Sequence, residues 1–303
     1  MTLEETRVAV EPLLSSLEPQ IAQLVARHKA ASSRIDWSYH EYLPLEAFHA
    51  QRQSGPLSAP AYAAVETALL IEANLPWYTA VLYDGLKTSL APIQEFIHLW
   101  TSEEDQHSTL LETYLLLTDN GDHAKRAALR RNVLVGGWSH ELKSPLEAMV
   151  YTSVQELATQ AFYVHTARAC EGDDPGLALA LRRIAKDETR HYAFYRDVVK
   201  AHLDVDADYV LPVAHVITEF RMPGRVIPDF KKRSAYLAAQ HVFGPEQFYH
   251  DVIEVVCSYW GVDRLTPTGP EAQRALARLR RYRAVLRRLA DQGAASPAVV
   301  AVG

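Results

Sequence analysis

Two short strings in this chain could do metal chemistry. Glu104-Asp-Gln-His107 and Glu188-Thr-Arg-His191 share a Glu-x-x-His pattern, and each is preceded 32 residues upstream by a further glutamate, Glu72 and Glu156. One shift of 84 residues superimposes the two sets, acid on acid and imidazole on imidazole. Residues three apart on a helix lie on one face, so each Glu-x-x-His pair can grip a metal from one side. Four carboxylates and two imidazoles suffice for two ions joined by bridging carboxylates.

The signal lies in the constellation and not in the motif. Glu-x-x-His also occurs at Glu46/His49 and Glu95/His98, but the positions 32 residues before those pairs hold Leu14 and Ala63. Glu95 precedes Glu104 by nine residues, about 900° of rotation at 3.6 residues per turn, so its pair faces away from the other. Both extra copies read as structural or solvated. Glu72 and Glu156, by contrast, sit among apolar and small residues, Leu-Leu-Ile-Glu-Ala-Asn-Leu and Ser-Val-Gln-Glu-Leu-Ala. There an unpaired carboxylate is costly unless a metal or a proton neutralises it. One Glu from each of two helices and a Glu-x-x-His from each of two others is a ligand set built inside ferritin-like bundles. Mixed carboxylate and imidazole donors suit iron, manganese or zinc. Spacing alone is equally compatible with oxygen-activating di-iron, ferroxidase or storage, di-manganese radical and hydrolytic bimetal centres.

The elements that must position these groups read as helices. Ala61 to Tyr83 forms one long apolar helix, opened by Pro60 and kinked at Pro76, with Glu72 in its middle. Pro92 to about Leu117 carries Glu104 and His107 and closes in the turn-rich Thr118-Asp-Asn-Gly-Asp122. A shorter helix at 123–135 leads through Gly136-Gly137 to a third long helix, Pro145 to about Cys170, bearing Glu156. After a break at 171–176, Leu177 to about Leu203 carries Glu188 and His191. Beyond a Pro/Gly-rich loop at 221–228, helical patterns recur near 230–241, 245–259 and 270–291, and no period-2 run demands a sheet. The expected fold is all-α. It is a ferritin-like bundle over about 60–203 with additional C-terminal helices over about 204–291, in one domain spanning 1–303.

Hydrophobic content of 48% and charged content of 22% over 303 residues are those of a globular protein and exclude bulk disorder. No apolar run reaches the roughly 18 residues of a membrane span. The acidic start Met1-Thr-Leu-Glu-Glu-Thr lacks a secretory or transit pattern, so a cytoplasmic location is expected. Cys170 and Cys257 are the only cysteines; they exclude a disulfide framework and a four-thiolate cluster and read as buried thiols. The net charge of −6 is uneven: from Arg221 onward 13 Lys+Arg face 7 Asp+Glu, which leaves −12 for residues 1–220. That pattern suits either a basic surface for an acidic protein partner or a solvated helix face. Nothing in it calls for a nucleic acid.

At these positions the sequence resembles the soluble acyl-acyl carrier protein desaturases, the plant stearoyl type and its actinobacterial relatives. The matching strings are Glu72-Ala-Asn-Leu-Pro-Trp-Tyr78, Trp100-Thr-Ser-Glu-Glu-Asp-Gln-His107, Tyr151-Thr-Ser-Val-Gln-Glu-Leu-Ala-Thr159 and Asp187-Glu-Thr-Arg-His191. Trp260-Gly-Val-Asp-Arg-Leu265 and Glu271-Ala-Gln273 extend the likeness to most of the chain, roughly 60 to 290. The resemblance implies that Glu72, Glu104, His107, Glu156, Glu188 and His191 hold two irons bridged by carboxylates. It places Thr159 beside the oxygen-binding side of the cluster, although a helix Thr also commonly bonds the preceding turn. Trp100 matches a tryptophan near the cluster and reads equally well as a core aromatic. The loop Arg221-Met-Pro-Gly224 resembles the actinobacterial branch and differs from the basic stretch of the plant proteins. The nearest basic cluster, Lys231-Lys232-Arg233, is the nominee for carrier-protein docking.

The implied activity is O2-dependent desaturation of an acyl chain carried on acyl carrier protein, in fatty acid synthesis or modification. A ferredoxin or similar protein would donate electrons, and the enzyme would be a homodimer. Two alternatives stand beside it: hydroxylation of a carrier-bound acyl or aminoacyl group, and a non-catalytic metal-binding homologue.

Overall fold

Prolines and small polar caps set where the helices begin. The computed structural model describes residues 13–33, 37–50, 55–139 and 144–292, and every regular element among them is helical. In chain order the longer helices are α1 (Glu18–Ser32), α2 (Ala59–Glu72), α3 (Leu75–Leu86), α4 (Ala91–Leu117), α5 (His123–Gly136), α6 (Pro145–Cys170), α7 (Pro175–Val205), α8 (Val210–Glu219) and α9 (Phe230–Ala239). Next, α10 starts as Pro245–Gln247, widens into a π-helical stretch at Phe248–Ile253 and continues as Glu254–Tyr259, and α11 spans Pro270–Asp291. Pro60, Pro76, Pro92, Pro145, Pro175 and Pro270 all lie in first turns, where the missing N–H costs nothing. Asp174 caps α7 by accepting from the N–H groups of Gly176 and Leu177 at 2.8 and 3.0 Å, and its other oxygen accepts from Tyr114 at 2.7 Å.

The hairpin of α6 and α7 is the centre of the packing; α2 and α4 close the bundle, and α1 lies against α4 and α7. On the far side α8 packs on α6 and α11 packs on α8, while α9 rests on α2. Helix α6 is buried on nearly all sides, which explains its small and apolar residues around the whole circumference. Two large apolar clusters fill the interior, one joining α1, α3, α4, α6–α8, α10 and α11, the other joining α2, α4, α6, α7 and α9.

Three features differ from the sequence expectation. The long helix over 61–83 is two helices, and Glu72 is the last residue of α2 instead of its middle. Pro76 gives the reason: in a continuous helix its ring would clash with the carbonyl four residues back, that of Glu72. The chain restarts at Asn74, whose carbonyl accepts from Trp77 and Tyr78. Helices α1 and α8 carry no ligand motif: α1 lies outside every expected helix, and α8 falls within the expected C-terminal helical region without bounds of its own. Within 245–259 the π-helical stretch interrupts the expected α-helix.

Candidate metal centre

The four bundle helices deliver all six predicted groups to one point: Glu72 from α2, Glu104 and His107 from α4, Glu156 from α6, and Glu188 and His191 from α7. None is more than 6% exposed. Their donor atoms form two sets of four, each within 4.8 Å: Glu72, Glu104, His107 and Glu188, and Glu104, Glu156, Glu188 and His191. Glu104 and Glu188 belong to both sets, so each is placed to bridge.

Both imidazoles turn Nδ1 inward. His107 Nδ1 lies 3.3 Å from Glu104 Oε2 and 3.3 Å from Glu188 Oε1. His191 Nδ1 lies 2.8 Å from Glu104 Oε1, 3.4 Å from Glu156 Oε2 and 3.7 Å from Glu188 Oε2. Behind them, His191 Nε2 meets Glu103 Oε2 at 2.8 Å and His107 Nε2 faces Asp187 Oδ2 at 3.5 Å. Backing of this kind orients a metal-binding imidazole. The halves therefore hold each other: Glu103 on α4 backs the histidine of α7, and Asp187 on α7 backs the histidine of α4. Glu103 and Asp187 were not among the predicted site residues, yet they too are 84 positions apart, so the duplication extended by one residue would have found them.

The carboxylates are oriented as well. Tyr163 donates its hydroxyl to Glu72 Oε1 at 2.7 Å, and Trp100 Nε1–H donates to Glu156 Oε1 at 3.1 Å. Trp100 is thus both a core aromatic and a partner of the site. Asp187 accepts from Trp37 Nε1 at 2.9 Å and from Arg183 at 2.6 Å, and it pairs with Arg190 at 2.7 Å.

Burial, with Glu104 and Glu188 close by, pushes the Glu72 carboxyl well above the usual carboxylate range, and burial with Glu188 does the same to Glu156. Glu104 moves down to about 2, because His107 and His191 outweigh its burial. Both imidazoles are raised: burial opposes this, but Glu104 prevails at His107 and Glu103 at His191. The group thus shares protons across a crowded set of acids and bases, and metal binding would displace them.

Several buried polar atoms here make no hydrogen bond: Glu104 Oε1, Glu156 Oε2, both Glu188 oxygens, both His107 nitrogens and His191 Nδ1. Such groups are rare in folded proteins and each carries a desolvation cost. Converging oxygen and nitrogen donors of this number fit two divalent ions of the iron, manganese or zinc type.

Thr159 Oγ1 is also buried without a partner, so it does not bond the preceding turn. It lines a narrow apolar cavity of about 50 Å³ whose wall includes Glu72, Phe162, Met222, Phe230 and Leu237. Of the nominated basic cluster, Lys231 and Lys232 are exposed. Arg233 instead turns inward and pairs with buried Glu66 at 2.7 Å, which takes it out of the docking surface. The extra motif residue Glu95 is half-exposed and pairs with Lys29, and Glu46 and His49 sit in the short helix Leu45–His49 at the surface. Both cysteines are free and buried.

A family model described as fatty acid desaturase matches residues 10–300. Over 268 residues the chain is 30% identical to the acyl-(acyl-carrier-protein) desaturase DesA1 of Mycobacterium tuberculosis, covering 82% of this chain and 78% of the relative. It is 32% identical over 240 residues to the chloroplastic stearoyl-(acyl-carrier-protein) 9-desaturase of Ricinus communis, covering 74% and 60%. The X-ray structure of DesA2 from Mycobacterium tuberculosis shares the fold, with a TM-score of 0.61 at 22% identity over 86% of this chain and 97% of that one. The chain belongs to the fatty acid desaturase family.

Proposed function

We propose that this protein is an acyl-acyl carrier protein desaturase, using two irons and O2 to place a double bond in a carrier-bound acyl chain. The carrying observation is the pair of overlapping four-donor sets that share Glu104 and Glu188. Glu72 and His107 would serve one iron, Glu156 and His191 the other, and Glu104 and Glu188 both. The relatives above carry the names of desaturases that act on acyl carrier protein, which supports the same enzyme class here. On this reading a ferredoxin-type protein donates the electrons, and the enzyme acts as a homodimer in the cytoplasm. Among the described residues no helix is long and apolar enough to cross a membrane.

When bound, the iron pair supplies the oxidising chemistry: O2, two electrons and two protons, with two hydrogens from adjacent methylenes, give one C=C bond and two waters. The protein's own groups do the rest. Phe162, Met222, Phe230 and Leu237 form an apolar wall that orients an alkyl chain and keeps bulk water from Glu72. The Thr159 hydroxyl, free of other hydrogen bonds, can hold a proton at Oγ1 for delivery into the cavity. Trp100 and Tyr163 hold Glu156 and Glu72 in place.

The test is incubation of reduced, iron-loaded protein with a panel of acylated carrier proteins, read by mass spectrometry. Loss of two hydrogens is expected. Gain of one oxygen would make the protein a hydroxylase, and no O2 consumption with any member would sink the enzymatic reading.

A further inference from the structure

Helix α1 lies outside the duplicated bundle, yet one of its side chains reaches the back of the metal centre. His28 is buried, and its Nε2 lies 3.1 Å from each carboxylate oxygen of Glu103. Glu103 Oε2 in turn meets His191 Nε2 at 2.8 Å. The His28 ring sits edge-on to Phe96 with centroids 4.9 Å apart, so packing sets its orientation.

A metal-binding imidazole offers a lone pair on one nitrogen and a proton on the other. His191 turns Nδ1 toward Glu104, Glu156 and Glu188, so its Nε2 carries the proton and donates to Glu103. A glutamate has rotatable side-chain bonds and fixes that donor only if it is itself fixed. The N–H of His28 spans both oxygens of Glu103 and holds the plane of the carboxylate. The other half of the centre is backed differently, since Asp187 takes hydrogen bonds from Trp37 and Arg183 and an ion pair from Arg190 at 2.7 Å. Among the described residues, hydrogen bonds to Glu103 come from His28 and His191, with Arg190 a more distant charge at 3.8 Å. Loss of one donor therefore matters far more behind His191 than behind His107.

We propose that His28 is a positioning residue that acts through Glu103 to orient His191 and set the metal affinity of the Glu156–His191 half of the centre. The inference rests on the two-metal reading of the site. It is tested by anaerobic titration of the metal-free full chain with cobalt(II), followed by visible absorption, in the wild type, His28→Gln and His28→Phe. Gln keeps a donor for Glu103, and Phe keeps the ring contact with Phe96 but donates nothing. Wild type and His28→Gln should take up two equivalents, whereas His28→Phe should bind the first normally and the second about 10–100-fold more weakly. If circular dichroism shows that the Phe protein does not fold, His28→Leu is read in its place. Two equivalents bound with unchanged constants in the donor-free variant would overturn the inference, as would equal weakening of both equivalents or a Gln variant as weak as Phe. A wild type that binds fewer than two equivalents would instead defeat the two-metal reading.

Discussion

Thr159 and His202 show how much one side chain can carry. Thr159 lines the same cavity as Glu72 and its buried hydroxyl has no hydrogen-bond partner, so Thr159→Val should leave metal content unchanged while slowing turnover by about 10²-fold, the usual size of a proton-delivery effect. Metal analysis beside single-turnover assays checks both halves of that expectation. His202 concerns stability. Its Nδ1–H donates to the Val198 carbonyl at 2.8 Å and its Nε2 accepts from the Leu14 N–H at 3.1 Å, an arrangement open only to the neutral ring. Burial accordingly pushes its pKa below the usual value. Because the folded value is depressed, the unfolded chain takes up a proton that the folded chain refuses once pH falls through about 6.5. The contribution is fully present above that pH and is lost as pH drops toward the folded value. Between pH 7 and pH 5, the urea midpoint of the metal-free wild type should therefore fall more steeply than that of His202→Gln.

At the scale of elements, the junction between α5 and α6 shows why the bundle's connector is built as it is. Gly137 adopts φ 66° and ψ −164°, a region essentially reserved for glycine, and a Cβ there would come within 3.2 Å of the Trp77 ring. Its carbonyl accepts from Asn74, at the break between α2 and α3 that places Glu72 at a helix end. Gly136, its neighbour, is helical, and a Cβ there would meet nothing. Gly137→Ala should cost about 1–3 kcal/mol, and Gly136→Ala should stabilise by about 0.5–1 kcal/mol. Denaturant unfolding of the two variants gives opposite shifts if this is right. The dipeptide was legible in the sequence only as a boundary. Which glycine carries the constraint depends on where Trp77 lies, and that is a tertiary fact. Helices α1 and α8 bear none of the six donors, so the 84-residue repeat that fixes the other helices carries no information about their bounds.

For the whole molecule, charge asymmetry becomes a surface. Arg274, Arg278, Arg281 and Arg288 are all exposed on α11, whose opposite face packs into the core through Leu276, Leu279 and Leu286. In the proposed reading this basic stripe meets an acidic carrier protein. Changing Arg278, Arg281 and Arg288 to Ala together should raise KM for the carrier-bound acyl substrate severalfold at low salt and leave kcat unchanged; kinetics at two ionic strengths should show the difference shrinking as salt rises. The helical class and the six converging acids and imidazoles were legible from residue order alone, because a strict internal repeat on helical spacing leaves few ways to place them. The sequence also contained Glu103 and Asp187 at the same offset. The folded arrangement was needed to see which two carboxylates fall in both donor sets, that Arg233 turns inward to Glu66, that α2 ends at Glu72 and that His28 stands behind His191. Those outcomes depend on contacts between residues far apart in the chain, and helical periodicity holds no information about which distant faces meet.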